Sequence, residues 1–242
     1  MQLWFYPLLA FLLGSIPFGL IIAKTKGIDI RKHGSGNIGA TNVFRVLGKK
    51  YGILCLILDA LKGFIPVVIA VNLVRIEGRD PQFHLAFLDS YHLLLSASEQ
   101  MKGQFVHVLT ALAAVLGHNY SPWIGFKGGK GIATSAGVMI ALMPMAVLIL
   151  VFVFIIVFML TRYVSVASMA AALVLPIMTH LGARFHKTPE GISLWEAGTW
   201  NKPLFVFSIL IATLAIWKHR TNIIRLREGT ESRFVWGKKK KS

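Results

Sequence analysis

An all-α integral membrane protein with about seven transmembrane helices is the fold class this sequence predicts, and three observations predict it. Of its 242 residues, 55% are hydrophobic, and mean hydropathy is +0.64, well above what a soluble domain carries. Several apolar stretches reach the roughly 20 residues that a helix needs to cross the hydrocarbon core. The positive charge, a net +16, is concentrated in particular segments between those stretches. In a soluble chain such an excess would suggest nucleic acid. Here no basic stripe interleaved with aromatics lies outside the apolar spans, so basic loops beside anionic headgroups explain it better and no nucleic-acid partner is expected.

The apolar spans run Leu3–Ala23, Tyr51–Val74, Phe105–Leu116, Ile132–Leu160, Val164–Leu181 and Pro203–Trp217. The first lacks a basic leader and a small-residue cleavage site, so it reads as a retained helix. Two of the spans are short for a crossing and are expected to extend into adjoining loop residues. Residues 24–50 hold seven Lys/Arg against one Asp, and residues 218–242 hold nine against two Glu, ending in Lys238–Lys241. Residues 75–104 hold three Lys/Arg against four acids. The positive-inside rule therefore places the first two segments in the cytoplasm and the third outside. Parity then requires Ile132–Leu160 to cross twice. Its 29 residues are too many for one comfortable pass, and Pro144 in Met143-Pro144-Met145 supplies the hinge. The expected topology has the N-terminus outside and the C-terminus cytoplasmic. The whole chain, 1–242, reads as one polytopic domain with a longer extracytoplasmic connection at 75–104. Within that connection, Leu85–Leu95 could form an amphipathic interfacial helix.

The polar signatures fall on or beside the segments assigned to the cytoplasm. The stretch from His33 to Arg45 packs Ser35, Gly36, Asn37, Thr41, Asn42 and Arg45 into thirteen positions. Small residues let backbone N–H groups approach an anion, hydroxyls add short donors, and a guanidinium can grip two phosphate oxygens. Gly34-x-Gly36-x-x-Gly39 matches a dinucleotide fingerprint but follows a basic stretch rather than a strand, which excludes that reading. The segment Gly117–Thr134 carries His118 and Asn119, then Gly128, Gly129, Lys130 and Gly131 leading straight into an apolar helix. A glycine loop with one ammonium at a helix start is a physical anion site, though its spacing is not that of a Walker motif. Asp59 and Lys62 form an i, i+3 acid–base pair inside a hydrophobic span, either functional or a structural ion pair. His219 and Asn222 stand one turn apart after the last span, where a basic interface anchor would require neither. Ser165 and Ser168 share a face near the start of a span. The lone Cys55 shares a face with Asp59 and reads as packing.

Together these residues closely resemble the acyl-phosphate-dependent glycerol-3-phosphate acyltransferases of bacteria, the PlsY family. The resemblance runs through Gly14-Ser15-Ile16-Pro17-Phe18-Gly19, the Ser35–Arg45 loop, Asp59-x-x-Lys62-Gly63, Gly117–Thr134 and His219-Arg220-Thr221-Asn222, nearly the whole chain. The 75–104 connection looks longer than the family's usual one. The resemblance implies a seven-pass inner-membrane enzyme with its active site facing the cytoplasm. It would move a fatty acyl group from acyl phosphate to the 1-hydroxyl of glycerol 3-phosphate, giving lysophosphatidic acid and phosphate. Its partners would be those two substrates and membrane lipid. Ser35, Arg45, Lys130, His219 and Asn222 are the expected catalytic residues. Gly36, Asn37, Thr41, Asn42, Asp59, Lys62, His118, Asn119, Gly128, Gly129, Gly131, Ser165 and Ser168 are the expected substrate-binding residues.

The residue chemistry agrees with that implication. Both substrates carry a phosphate, and the sequence offers two phosphate cradles. An acyl phosphate is a mixed anhydride with a good leaving group, so no protein nucleophile, metal or cofactor is expected. The sequence has no Gly-x-Ser-x-Gly elbow, no catalytic Cys–His set and no metal-ligand cluster. One further match, His84-x4-Asp89, fits a different class of glycerolipid acyltransferases, but it falls in the connection placed outside and reads as chance. The rival class is a transporter for phosphate or a phosphorylated metabolite. Against it, the anion motifs map to one side, and no internal repeat stands out. A non-enzymatic membrane scaffold would leave both glycine loops unexplained.

Overall fold

A computed structural model describes residues 3–185, 191–198 and 200–234. The Lys238–Lys241 run lies outside the described residues. The chain order is α1 (Phe5–Gly14), α2 (Phe18–Lys24), α3 (Ala40–Leu47), α4 (Lys49–Leu73), β1 (Val74–Ile76), β2 (Leu93–Leu95), α5 (Gln100–Asn119), α6 (Ile132–Leu142), α7 (Pro144–Thr161), α8 (Val164–Phe185), α9 (Lys202–Lys218) and α10 (Arg220–Arg227). Among the described residues the architecture is helical apart from one short two-stranded parallel ladder.

Helix α4 is the central post. It packs on α1, α3, α5 and α6, while α7, α8 and α9 pack in sequence. Between helices in lipid there is no hydrophobic drive to associate, so close approach through small residues carries the contact. Gly14 of α1 leaves no room for a Cβ against the backbone of Ala114 in α5, and Gly137 of α6 is as tight against Ala60 of α4. The core between them holds Val67, Ala111, Ala114, Val115, Val138 and Phe207. On the outside, α7 turns Leu148, Phe152, Ile155 and Leu160 away from the protein, as a lipid-facing helix must.

Among the described residues, four stretches are long and apolar enough to cross a membrane: Phe5–Lys24, Lys49–Leu73, Pro144–Thr161 and Val164–Phe185. A fifth is added if α9 and α10, bent by 50°, count as one. Helix α5 has length, 20 residues rather than the twelve of the apolar run Phe105–Leu116, but it buries Gln104, His107 and Thr110 on its inner side. Helix α6 has only 11 residues, about 16 Å at 1.5 Å per residue.

The predicted break in Ile132–Leu160 is present: α6 ends at Leu142, Met143 leaves helical conformation, and Pro144 opens α7. A second break was not anticipated. The first span, expected as one helix, divides into α1 and α2 at Ser15-Ile16-Pro17. Proline has no N–H to give and restricts the residue before it, so helical bonding lapses there. The freed groups find partners elsewhere. Lys62 Nζ donates to Ile16 O at 2.7 Å, Ser121 Oγ to Ser15 O at 2.6 Å, and Trp123 Nε1 to Ser15 Oγ at 2.7 Å.

The amphipathic helix expected at Leu85–Leu95 does not form. Only a single 3-10 turn at Ala86–Leu88 appears, and Leu93–Leu95 pairs in parallel with Val74–Ile76. A helix of that length is marginal without a partner. Here Asn72 staples the connection instead, donating to Phe83 O at 2.8 Å and accepting from Leu85 N–H at 2.8 Å.

Candidate active site

Three stretches distant in sequence meet at one end of the bundle: α3, the loop before α6, and the segment from His219 to Phe234. Arg45 lies in the last turn of α3, with Thr41 one turn earlier on the same face. Its Nη2 donates to the backbone oxygen of Ser232 at 3.1 Å. Lys130 Nζ donates to Asn222 Oδ1 at 2.5 Å. The amide of Asn222 is oriented from its other end, where Nδ2 donates to Glu231 Oε1 at 2.6 Å. The same carboxylate accepts from Ser165 Oγ at 2.9 Å and from Arg225 Nε at 3.0 Å.

Sequence reasoning missed two residues of the cluster, Arg225 and, at its centre, Glu231. A signal was available: only Glu228 and Glu231 interrupt a strongly basic tail. The Glu231 side chain is 7% exposed, and it draws α8, α10 and the terminal segment together. Burial alone would push its carboxyl up. Hydrogen bonds from Asn222 and Ser165, and the charge of Arg225, outweigh that and hold it below the usual range. The carboxylate is therefore ionised at neutral pH. Past it, Phe234 packs on Phe44 of α3 and Phe158 of α7, and its N–H donates to Arg162 O at 2.8 Å. The terminal segment thus straps α3 to the α7–α8 turn.

Lys130 is half-buried. Burial, first, and the charges of Arg225 and Arg45 pull its ammonium down to about 8, while Glu231 opposes them. His219 caps α9 and is buried. Its Nδ1 lies 2.7 Å from Ala215 O, and a carbonyl only accepts, so Nδ1 carries the proton and Nε2 is the acceptor. Burial and the neighbouring Lys130 lower its pKa to about 4.

The two loops differ from their expected role in one respect. Many of their backbone amides are already engaged within the protein. In the first loop, Asn42 is the scaffold: its Oδ1 accepts from Ser35 N–H at 2.9 Å, and its Nδ2 reaches His33 O and Asn37 O. Asn37 Oδ1 accepts from Gly39 N–H at 2.8 Å and starts α3, while Gly36 N–H bonds His33 O. Gly36 takes φ of 72°, a left-handed conformation that a side chain would strain. In the second loop, Gly128 N–H donates to Asn119 O at 3.2 Å and Gly129 N–H to His118 O at 3.1 Å. Their missing side chains let the loop lie flat on the end of α5. What remains for an anion is the side-chain cations, the hydroxyls, and the N–H groups that open α6.

Asp59, Lys62, His118 and Asn119 lie beneath the second loop, all buried. Ser168 Oγ turns back to Val164 O on its own helix at 2.8 Å. A cavity of about 590 Å³ lined by Arg184, Phe185, Gly191, Ser193, Trp195 and Glu196 sits at the far end of α8 from Ser165 and has no part in this cluster.

Comparison with known proteins decides the family. The glycerol-3-phosphate acyltransferase family model matches residues 4–229. The chain belongs to that family. A glycerol-3-phosphate acyltransferase of Aquifex aeolicus is 42% identical over 234 residues, covering 97% of this chain and 100% of the relative. One of Geotalea daltonii is 42% identical over 225 residues, covering 93% and 94%. Among solved structures, the glycerol 3-phosphate form of PlsY (YgiH), an integral membrane glycerol 3-phosphate acyltransferase, superposes with a TM-score of 0.73 at 40% identity, covering 96% of each chain. Its lysophosphatidic acid form gives 0.71. The family match thus spans the helical frame from α1 to α10, while Glu231 and Phe234 lie just past its last matched residue.

Proposed function

We propose that this chain transfers a fatty acyl group from acyl phosphate to the 1-hydroxyl of glycerol 3-phosphate, giving lysophosphatidic acid and phosphate, at the Arg45–Lys130–Asn222–His219 cluster. The reaction follows from family membership. The observation that carries its assignment to this cluster is the convergence of Arg45, Lys130 and Arg225 from three separate stretches at one end of the bundle, around the buried Glu231 carboxylate. Two phosphorylated substrates need such a concentration of positive charge, and surrounding apolar helices strengthen it.

The hydroxyl oxygen attacks the acyl carbonyl carbon, and the bond from that carbon to the phosphate oxygen breaks. Phosphate leaves with the electron pair. The hydroxyl proton passes to an acceptor, for which His219 Nε2 and a substrate phosphate oxygen compete. A histidine held near pKa 4 is neutral at pH 7 and able to accept, but it is a weak base until substrate charge stands beside it. Arg45 and Lys130 hold the phosphates and stabilise the charge that develops on them. Ser35 and Thr41 supply hydroxyls at the rim, and Asn222 is aligned on Lys130. The acyl chain remains in the bilayer, where burial is worth about 0.8 kcal/mol per CH₂.

The topology we infer is seven passes in one polytopic domain, with α5 and the short α6 crossing as well, the N-terminus outside and the cluster facing the cytoplasm. The lysine and arginine bias of residues 24–50 and 218–242 supports it.

The test is turnover by the purified protein, in detergent or lipid cubic phase, with acyl phosphate and glycerol 3-phosphate. Release of phosphate together with lysophosphatidic acid is expected. Solute accumulation in sealed vesicles with no acylated product would replace the reading with a transporter. A His219→Ala enzyme with near-normal turnover would remove His219 as the base and leave the substrate phosphate in that role.

A further inference from the structure

Asp59, Lys62 and His118 make none of their bonds to the Arg45–Asn222–Glu231 cluster, yet they form the most deeply buried charged group described in this protein. Lys62 Nζ lies 2.8 Å from Asp59 Oδ1, with each side chain 3% exposed. The same carboxylate oxygen is 3.7 Å from His118 Nδ1, and the other, Oδ2, accepts from Cys55 Sγ at 3.6 Å. Lys62 is held in turn by Ile16 O, the carbonyl freed where Pro17 breaks the first span. Buried ion pairs are poor sources of stability, because desolvation offsets their attraction, so stability alone does not account for this one.

Its position accounts for it better. His118 stands in the last turn of α5, directly under the glycine loop. Its backbone oxygen accepts from Gly129 N–H, and its ring fills the space where a Cβ on Gly129 would be, against Nε2. The next carbonyl, Asn119 O, accepts from Gly128 N–H and from Lys218 Nζ at 3.0 Å. Asp59 faces Nδ1, which turns Nε2 toward the loop. One turn beyond Asp59, Gly63 packs against Thr134 in the first turn of α6, so the same face of α4 also sets where the loop ends.

We propose that Asp59, Lys62 and His118 are positioning residues: a relay running from the break in the first span to the imidazole on which the glycine loop rests, fixing the reach of Lys130. The inference rests on the reading of Lys130 as a phosphate grip. A cradle bonded to the His118 and Asn119 carbonyls and packed on a buried imidazole holds its geometry far better than a free loop, and misplacement by about 1 Å can cost about a hundredfold in rate.

The experiment is steady-state kinetics on full-length His118→Ala, Gly129→Ala, the double variant and His118→Asn, with Lys130→Ala as reference and melting followed for each. His118→Ala is expected to lower kcat/KM about 10- to 100-fold. Gly129→Ala, which drives a methyl into the ring, is expected to do similar damage. The double variant should be no worse than the poorer single, because the clash and the support disappear together. His118→Asn, whose amide can still meet Asp59, should recover part of the loss. Losses that multiply in the double variant, or a folded His118→Ala enzyme with wild-type kcat and KM, would overturn the relay. If His118→Ala does not fold, Asp59→Asn, which keeps the shape and removes the charge, carries the same expectation. Full activity in Lys130→Ala would instead break the phosphate-grip reading itself.

Discussion

Two constellations in this molecule contain an arginine, a carboxylate and a histidine, and their surroundings could hardly differ more. In the connection between α4 and α5, Asp89 accepts from His84 Nε2 at 2.8 Å and from Arg75 Nη2 at 2.5 Å. Asp89 and His84 are about half exposed. At the other end, Glu231 collects Ser165, Asn222 and Arg225 with its side chain almost wholly buried, near His219, Lys130 and Arg45. The first group is a hydrogen-bonded His-x4-Asp pair that a motif search would select. Its bonds clip the connection to β1, and water screens its charges. The second has no tidy motif, yet its carboxylate is buried, where water screens charge least. Burial of the carboxylate and convergence, not residue identity, separate the surface clip from the candidate site.

That contrast can be broken, and the largest effect should come from the cations gathered at the second cluster. Arg45→Ala and Lys130→Ala are each expected to lose about 100- to 1,000-fold in turnover while the protein still folds, checked by phosphate release and melting together. Wild-type kinetics in either would end the two-cradle account. Glu231→Gln comes next. It keeps the shape but replaces the acceptor of three side-chain donors by a neutral amide, so activity should drop about 10- to 100-fold, with a lowered melting temperature. An unaffected enzyme would mean that the strap is incidental. The pH profile should show a milder effect. With Lys130 titrating at about 8, the ammonium is present below that pH and lost above it. So kcat/KM should fall as pH rises through 8, by about tenfold at pH 9. Lys130→Arg should remove that limb, and a profile flat to pH 9.5 in the parent would contradict it. Smallest of all, His84→Ala and Asp89→Ala should leave turnover within about twofold. A large loss in either would erase the distinction between the two regions.

Much of the fold was legible before any coordinates. The split at Met143-Pro144 followed from length, parity and one proline, and it is present. The division of the first span at Pro17 rests on the same residue type but is not legible locally, because Lys62 and Ser121, which bond Ile16 O and Ser15 O, lie far along the chain. Likewise Leu85–Leu95 has local periodicity suited to a helix, and Asn72 and β1 overrule it. Crossing count shows the limit from the other side. Helix α5 has the length of a span, but Gln104, His107 and Thr110, buried inside, lower its apolar content.

Hydropathy, charge bias and glycine–cation motifs are properties of contiguous segments, and they were enough to determine a multi-pass helical membrane protein and to single out Ser35–Arg45, Gly128–Gly131 and His219–Asn222 as candidates. Only tertiary structure decided that Glu231 joins them, that many of the loop amides are already bonded, and that Asp59 and His118 lie under the loop. Those facts depend on which groups share the same few ångströms after α4, α5 and α6 have packed. Hydrogen bonding and desolvation act at that range, and a linear pattern does not encode it.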